Sequence, residues 1–206
     1  MAPLTDIQIA NLALSRIGQL EGVTGITGDE TAAGVAVQAV YETVRKQLLG
    51  SYTWSFATVT NLLTESVVAP TKKWAYAYTL AADFLRAEAI WTGVRNPRSE
   101  QRIPFEVDSS IPLLYTDEAP VTTVGSEWPY LTYVYAAPAT EYSWEFSNAL
   151  AWALAAELAL SVAKKVDMGL RFGQVAEATR LQAIAMDRYQ SQADVPALTP
   201  SIAARR

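Results

Sequence analysis

The chain has 206 residues, with 16 basic and 21 acidic side chains for a net charge of −5, and it contains neither cysteine nor histidine. Those two zeros exclude disulfides, thiolate and imidazole metal sites, cysteine nucleophiles and Ser-His-Asp chemistry. Half of the residues are hydrophobic and 18% are charged, the balance of a chain that folds, and there is no basic surplus of the kind that binds phosphate backbones. At roughly 100–200 residues per domain, this length makes one domain, or one domain carrying an insertion. Composition therefore predicts a soluble globular protein that is not an enzyme and needs no cofactor. Residues 1–9 lack a basic segment followed by an apolar one, so no export signal is expected and synthesis in the cytoplasm is the default. The longest apolar run, 149–163, is shorter than the roughly 20 residues of a membrane span and carries Glu157. It reads as a core helix, with Glu157 on a narrow solvent strip.

The first element is an amphipathic helix capped by Thr5 or Asp6 and stopped at Gly18, with Ile7, Ala10, Leu14 and Ile17 on one face. A loop rich in glycine and threonine follows, and Asp29 stands where the cap of a second helix belongs. Val37, Tyr41, Val44 and Leu48 form the stripe of that helix, and Gly50 ends it.

Residues 53–63 read as extended. In Lys73-Trp74-Ala75-Tyr76-Ala77-Tyr78 the rings alternate with alanine, which predicts a strand with the three rings on one side. Over 80–92 the spacing of Phe84, Ala87 and Trp91 predicts a helix ended by Gly93. Four short runs near 103–107, 112–115, 121–124 and 130–136 then predict a small antiparallel β insertion. Pro104, Pro112 and Pro120 place its strands at edges.

After Pro138, Phe146, Leu150, Leu154, Leu158 and Val162 recur every four residues among alanines, the pattern of a helix central to a bundle. A break at Asp167-Met168-Gly169 starts a last helix reaching about Gln190, with Phe172, Ala176, Thr179, Ala183 and Met186 inward. The remaining 16 residues hold Pro196, Pro200 and only three apolar points, which reads as a disordered tail when left alone and as an arm when a partner receives it. The predicted fold is mainly α: an antiparallel helical bundle built from 1–95 and 139–190, a β insertion over 96–138, and a flexible C-terminal arm over 191–206.

Several blocks carry a resemblance. Asn11-Leu12-Ala13-Leu14-Ser15-Arg16-Ile17-Gly18, the Asp29-Glu30 helix start, and Leu48-Leu49 followed by Trp54-Ser55-Phe56-Ala57 resemble the opening of phage tail tubular protein A. Trp74-Ala75-Tyr76-Ala77-Tyr78 with Leu80 and Asp83-Phe84-Leu85-Arg86 is similar to that family's central signature, and the alanine-rich stretch 148–163 to its third block. The sequence has Ala81-Ala82 where the family usually places proline before the acidic residue. The resemblance implies a structural virion protein at the head-to-tail junction of a short-tailed phage. It implies an adaptor ring, usually of twelve copies, between the portal protein and the tail nozzle protein, with genomic DNA passing through its channel. In that setting the net negative charge repels DNA phosphates and lets the duplex slide.

The candidate sites follow. Val195, Leu198, Ile202, Arg205 and Arg206 are the anchors by which the arm would bind the portal, a role the resemblance gives to the C-terminal region. Trp128, Tyr130, Tyr133 and Tyr135, with Tyr142 and Trp144 nearby, are the candidates for a subunit or nozzle contact, because tyrosine and tryptophan are enriched in interfaces; packing of a small sheet on the bundle explains them equally well. Trp54, Phe56, Trp74, Tyr76, Tyr78 and Trp91 read as structural aromatic core, since only Lys72 and Lys73 lie near them as a nucleic-acid platform would need. Asp83 and Arg86 read as a helix-start ion pair. Two rival functions remain: a nucleic-acid-binding module, and a hydrolase using carboxylates from Asp117, Glu118, Glu127 or Glu141.

Overall fold

In the computed structural model, residues 3–70, 73–92, 103–108, 110–120, 129–163 and 166–190 are described. Helix α1 spans Asp6–Arg16. Its start is a capping box in which the Thr5 hydroxyl accepts from the Gln8 amide and the Gln8 side chain accepts from the Thr5 amide. It closes at Gly18, whose φ of +84° is open to glycine at no steric cost, with the Gln19 amide returning to the Leu14 carbonyl. Ile9, Ala10, Ala13, Leu14 and Ile17 are its buried face, and Ile7 lies outside it.

Helix α2 spans Ala32–Gly50 and is capped by Thr31, not by Asp29. Asp29 sits two residues before the cap and accepts from the amides of Thr24 and Thr31, so it ties the preceding loop to the helix start. Gly34 has to be glycine there, because a Cβ would stand 2.5 Å from the Asp29 carboxylate. Helix α3, Trp144–Ser161, begins on Ser143, whose hydroxyl accepts from the Phe146 amide. It packs against α1, α2 and the last helix α4, Val166–Gln190. The buried side chains of α1 to α3 join Trp54, Val134 and Ala137 in the largest core cluster.

Seven strands occur among the described residues: β1 Thr58–Leu62, β2 Thr64–Glu65, β3 Tyr76–Thr79, β4 Phe84–Thr92, β5 Phe105–Val107, β6 Leu113–Thr116 and β7 Pro129–Tyr135. They form two antiparallel sheets, ordered β1-β7-β4 and β2-β3-β6-β5. Leu63, Tyr78, Leu80, Ile90, Leu114, Leu131 and Tyr133 make a second core that takes residues from both sheets.

The protein is therefore mixed α/β, and the mainly helical bundle with a small β insertion is corrected. Two observations overturn it. Residues 84–92 form the longest strand rather than a helix, and the strands between 58 and 92 pair with those between 113 and 135. β4 hides its strand period because its pairing with β7 slips twice, between Phe84 and Arg86 and between Ala87 and Ala89. Each bulge inserts a residue and shifts the side-chain alternation, leaving a sequence whose apolar positions mimic helical spacing. The run 121–124 and the arm 191–206 lie outside the described residues.

Candidate interaction surfaces

The residues of the motif blocks form joints between distant parts of the chain. Arg16, from the first block, donates to the Asn148 side chain at 2.5 Å and to its carbonyl at 3.2 Å, and lies 4.0 Å over the Trp152 ring. Burial draws its pKa down to about 10, still far above neutral, so this guanidinium stays cationic. Trp54 is fully buried, donates to the Leu48 carbonyl at 3.1 Å and meets Phe146 edge to face at 4.9 Å.

Further joints stand outside or between the blocks. Asp187, near the end of α4, is buried and accepts from both the amide and the hydroxyl of Ser55, fixing that helix to the turn after Trp54. Arg45 donates to the Tyr142 hydroxyl and to the carbonyls of Ala136 and Ala137, joining α2 to the chain leaving β7. Arg86, on β4, pairs with Glu88 of the same strand and donates to the Thr53 hydroxyl ahead of β1, not to Asp83. Asp83 instead accepts from the Tyr133 hydroxyl at 3.5 Å.

The aromatic core residues fall into separate places. Trp54 and Phe56 belong to the helical core, and Tyr76 and Tyr78 to the core between the sheets. Trp74 packs with Ala77, Leu113 and Tyr115, so the three rings of the alternating run do not share one side. Its indole donates to Glu106, which Lys73 also holds. Trp91 stacks on Tyr130 with centroids 5.1 Å apart.

Among the interface candidates, Tyr133 is buried in the chain's own core, and Tyr130 and Tyr135 are half-buried. The Tyr135 hydroxyl donates to Glu141, and burial together with that carboxylate pushes it up to about 12. Tyr142 is buried and Trp144 is exposed. Trp128, together with Val195, Leu198, Ile202, Arg205 and Arg206, lies outside the described residues. Glu157 is exposed, as expected.

A cavity of about 390 Å³ opens beside β1, β2 and β3, lined by Leu62, Leu63, Leu80, Leu131, Tyr133 and Asn61 among others. Neither Asp117, Glu118 nor Glu141 lines it. Asp117 accepts from the Ala75 amide and Glu141 from the Tyr135 hydroxyl, so each of these carboxylates is engaged in a separate structural bond. Among the described residues, no group of three acidic side chains is placed to hold a metal ion, and no helix is long and apolar enough to cross a membrane.

What the sequence reading missed is the outer surface of α4. That helix buries Gly169, Ala183 and Asp187, yet leaves Val166, Leu170, Val175, Leu181, Met186 and Tyr189 exposed. A period search finds the buried stripe and stops there, so the apolar residues on the flanks pass as noise. Met186, expected inward, is one of them, and Asp187 takes its place. Comparison of the chain with protein-family models and with curated proteins finds no match.

Proposed function

We propose that this chain is a structural virion protein: a head-to-tail adaptor whose copies ring the DNA channel between portal and tail nozzle. It acts by protein–protein contact and catalyses nothing. The reading rests on the order and spacing of the motif blocks that resemble phage tail tubular protein A. The observation that carries it furthest is that residues of separate blocks meet: Arg16 of the first grips Asn148 of the third across 132 positions of sequence. Motifs that converge on structural joints describe a shared framework, whereas an active site would gather its motifs around a cleft.

The apolar exposure of α4 supports the same reading, because a part that works by assembly carries such surface. The acidic balance supports a channel wall that duplex DNA passes without sticking.

The arm supplies the test. Deleting residues 191–206 is expected to leave the circular dichroism of the folded chain unchanged and to abolish co-sedimentation with rings of the cognate portal protein. Undiminished co-sedimentation of the shortened chain removes the arm from the portal contact.

A further inference from the structure

The edges of the two sheets are protected unequally. β4 closes one edge with two register slips and a bridge from Ile90 to Ile103. β5 has three residues, one of them Glu106, and β2 has two. β1 is the outer strand of its sheet and reads Thr-Val-Thr-Asn-Leu, without a bulge, a proline or a charge. Edge strands ordinarily carry such features, because their free amides and carbonyls template a further strand.

Register fixes which groups of β1 are free. The Leu63 amide donates to the Pro129 carbonyl, and the pairing with β7 continues in step from there, so Asn61 and Val59 turn their backbone groups towards β7. Thr60 and Leu62 turn theirs outward. The Thr60 and Thr132 hydroxyls, 2.9 Å apart, mark the close non-hydrogen-bonded pair expected of this alternation. Both outward residues are exposed, and Leu62 borders the cavity of about 390 Å³ whose buried floor is Leu63, Leu80, Leu131 and Tyr133.

The arm starts within reach of this edge. Asp187 bonds to Ser55, three residues before Thr58, and α4 ends three residues after Asp187, at Gln190. Residues 191–206, extended, span about 50 Å, against about 17 Å for β1. Their sequence suits an edge. Pro196 and Pro200 have the same parity, so both ring nitrogens can face solvent while Val195, Ala197, Thr199 and Ser201 turn their amides to β1. The same alternation puts Pro196, Leu198, Pro200 and Ile202 on one side-chain face. An arm running from Thr58 towards Leu62 also carries Arg205 and Arg206 to Glu65 and Asp83, exposed carboxylates beside the cavity. Among the described residues neither carboxylate has an ion pair, whereas Lys73 and Arg86 are already taken by Glu106 and Glu88. Asp194 stays at the opposite end.

We propose that the C-terminal arm docks on β1 of its own chain as a parallel strand, with Ile202 in the cavity. Docking in cis is independent of the adaptor reading, since it needs no portal.

Amide hydrogen exchange, read by NMR on the full chain and on a chain ending at Gln190, tests it. The Thr60 and Leu62 amides are expected to exchange slower by about tenfold or more in the full chain, with Asn61 and Leu63 alike in both. Equal exchange at Thr60 and Leu62 overturns the docking. Two variants leave the body untouched: Ala197→Pro removes a donor facing β1, and Ile202→Asp puts a charge into the cavity. Each is expected to bring Thr60 and Leu62 to the exchange of the shortened chain, and slow exchange retained in either overturns the docking as well. A spin label on Ser201→Cys, in a chain with no native cysteine, is expected to broaden the signals of Leu62 and Leu80 in its own chain. Broadening found instead in unlabelled copies mixed with labelled ones means that arms are exchanged between copies, and none at all means an undocked arm; either result overturns docking in cis. Arm-dependent co-sedimentation with the portal alongside free exchange at Thr60 and Leu62 sinks the docking and spares the adaptor reading; slow exchange without portal binding does the reverse.

Discussion

Helices α3 and α4 follow one another in sequence and pack together, but they meet the rest of the molecule in opposite ways. α3 buries Phe146, Ala149, Leu150, Ala151, Leu154, Ala155, Leu158 and Ala159, which leaves it dry on several sides, and α1, α2 and α4 surround it. Its alanines let those neighbours come close. α4 is longer and buries one narrow face, with Ala183 and Asp187 as its anchors towards the body. The difference teaches where the apolar residues of each helix find partners. Those of α3 are satisfied inside the chain, and those on the flanks of α4 stay exposed.

Substitutions separate the two helices. Leu154→Ala, in the middle of the dry helix, is expected to cost about 2–5 kcal/mol of folding stability through lost burial and the cavity left behind, as read from urea unfolding. Leu181→Asp, on the exposed flank of α4, is expected to change the same quantity by only about 0.5 kcal/mol. Equal costs at the two positions break the contrast.

Asp187 sharpens it from the other side, since its bonds to Ser55 help hold the end of α4 down. Asp187→Ala removes the acceptor of the amide and hydroxyl of the exposed Ser55 and is expected to cost about 1–2 kcal/mol through the lost hydrogen bonds. Hydrogen exchange is expected to rise first in the last turns of α4 and leave α3 protected. Loss of protection spread evenly over both helices contradicts the assignment of Asp187 as a local anchor.

The smallest effect concerns the loop ahead of α2. Hydrogen bonds from the Thr31 hydroxyl and the Thr24 and Thr31 amides hold Asp29 at about 2, below its ordinary 3.8. Its folded-state pKa is depressed, so its stabilising contribution is present above the unfolded value and is lost as pH falls from about 4 through about 2. Asp29→Asn is therefore expected to flatten the fall of the melting temperature in that window. An unchanged acid limb places the acid sensitivity elsewhere.

The helices were legible because caps and periods agreed. Thr5, Gly18, Gly50 and the four-residue repeat from Phe146 to Leu158 all mark features that the fold uses. β4 was illegible for a physical reason: its two bulges break the alternation, while Leu85, Arg86, Ala87, Glu88 and Ala89 are residues with good local helix preference. Pairing with β7 overrides that preference, and no window of sequence around 84–92 contains β7. Trp74 misled in a similar way, since it stands before β3 and alternation fixes a shared face only within a strand. The joints were half visible: Arg16 and Asn148 both stood in recognisable blocks, but nothing in either block said that they touch.

The central claim is that this chain assembles as a channel-forming ring beneath a portal. Electron microscopy of the full-length protein mixed with the cognate portal tests it most directly. The account predicts a second ring stacked coaxially on the portal, with an open axial channel continuing the portal's own. Portal rings left bare beside dispersed single copies, under conditions where both proteins are folded, contradict it.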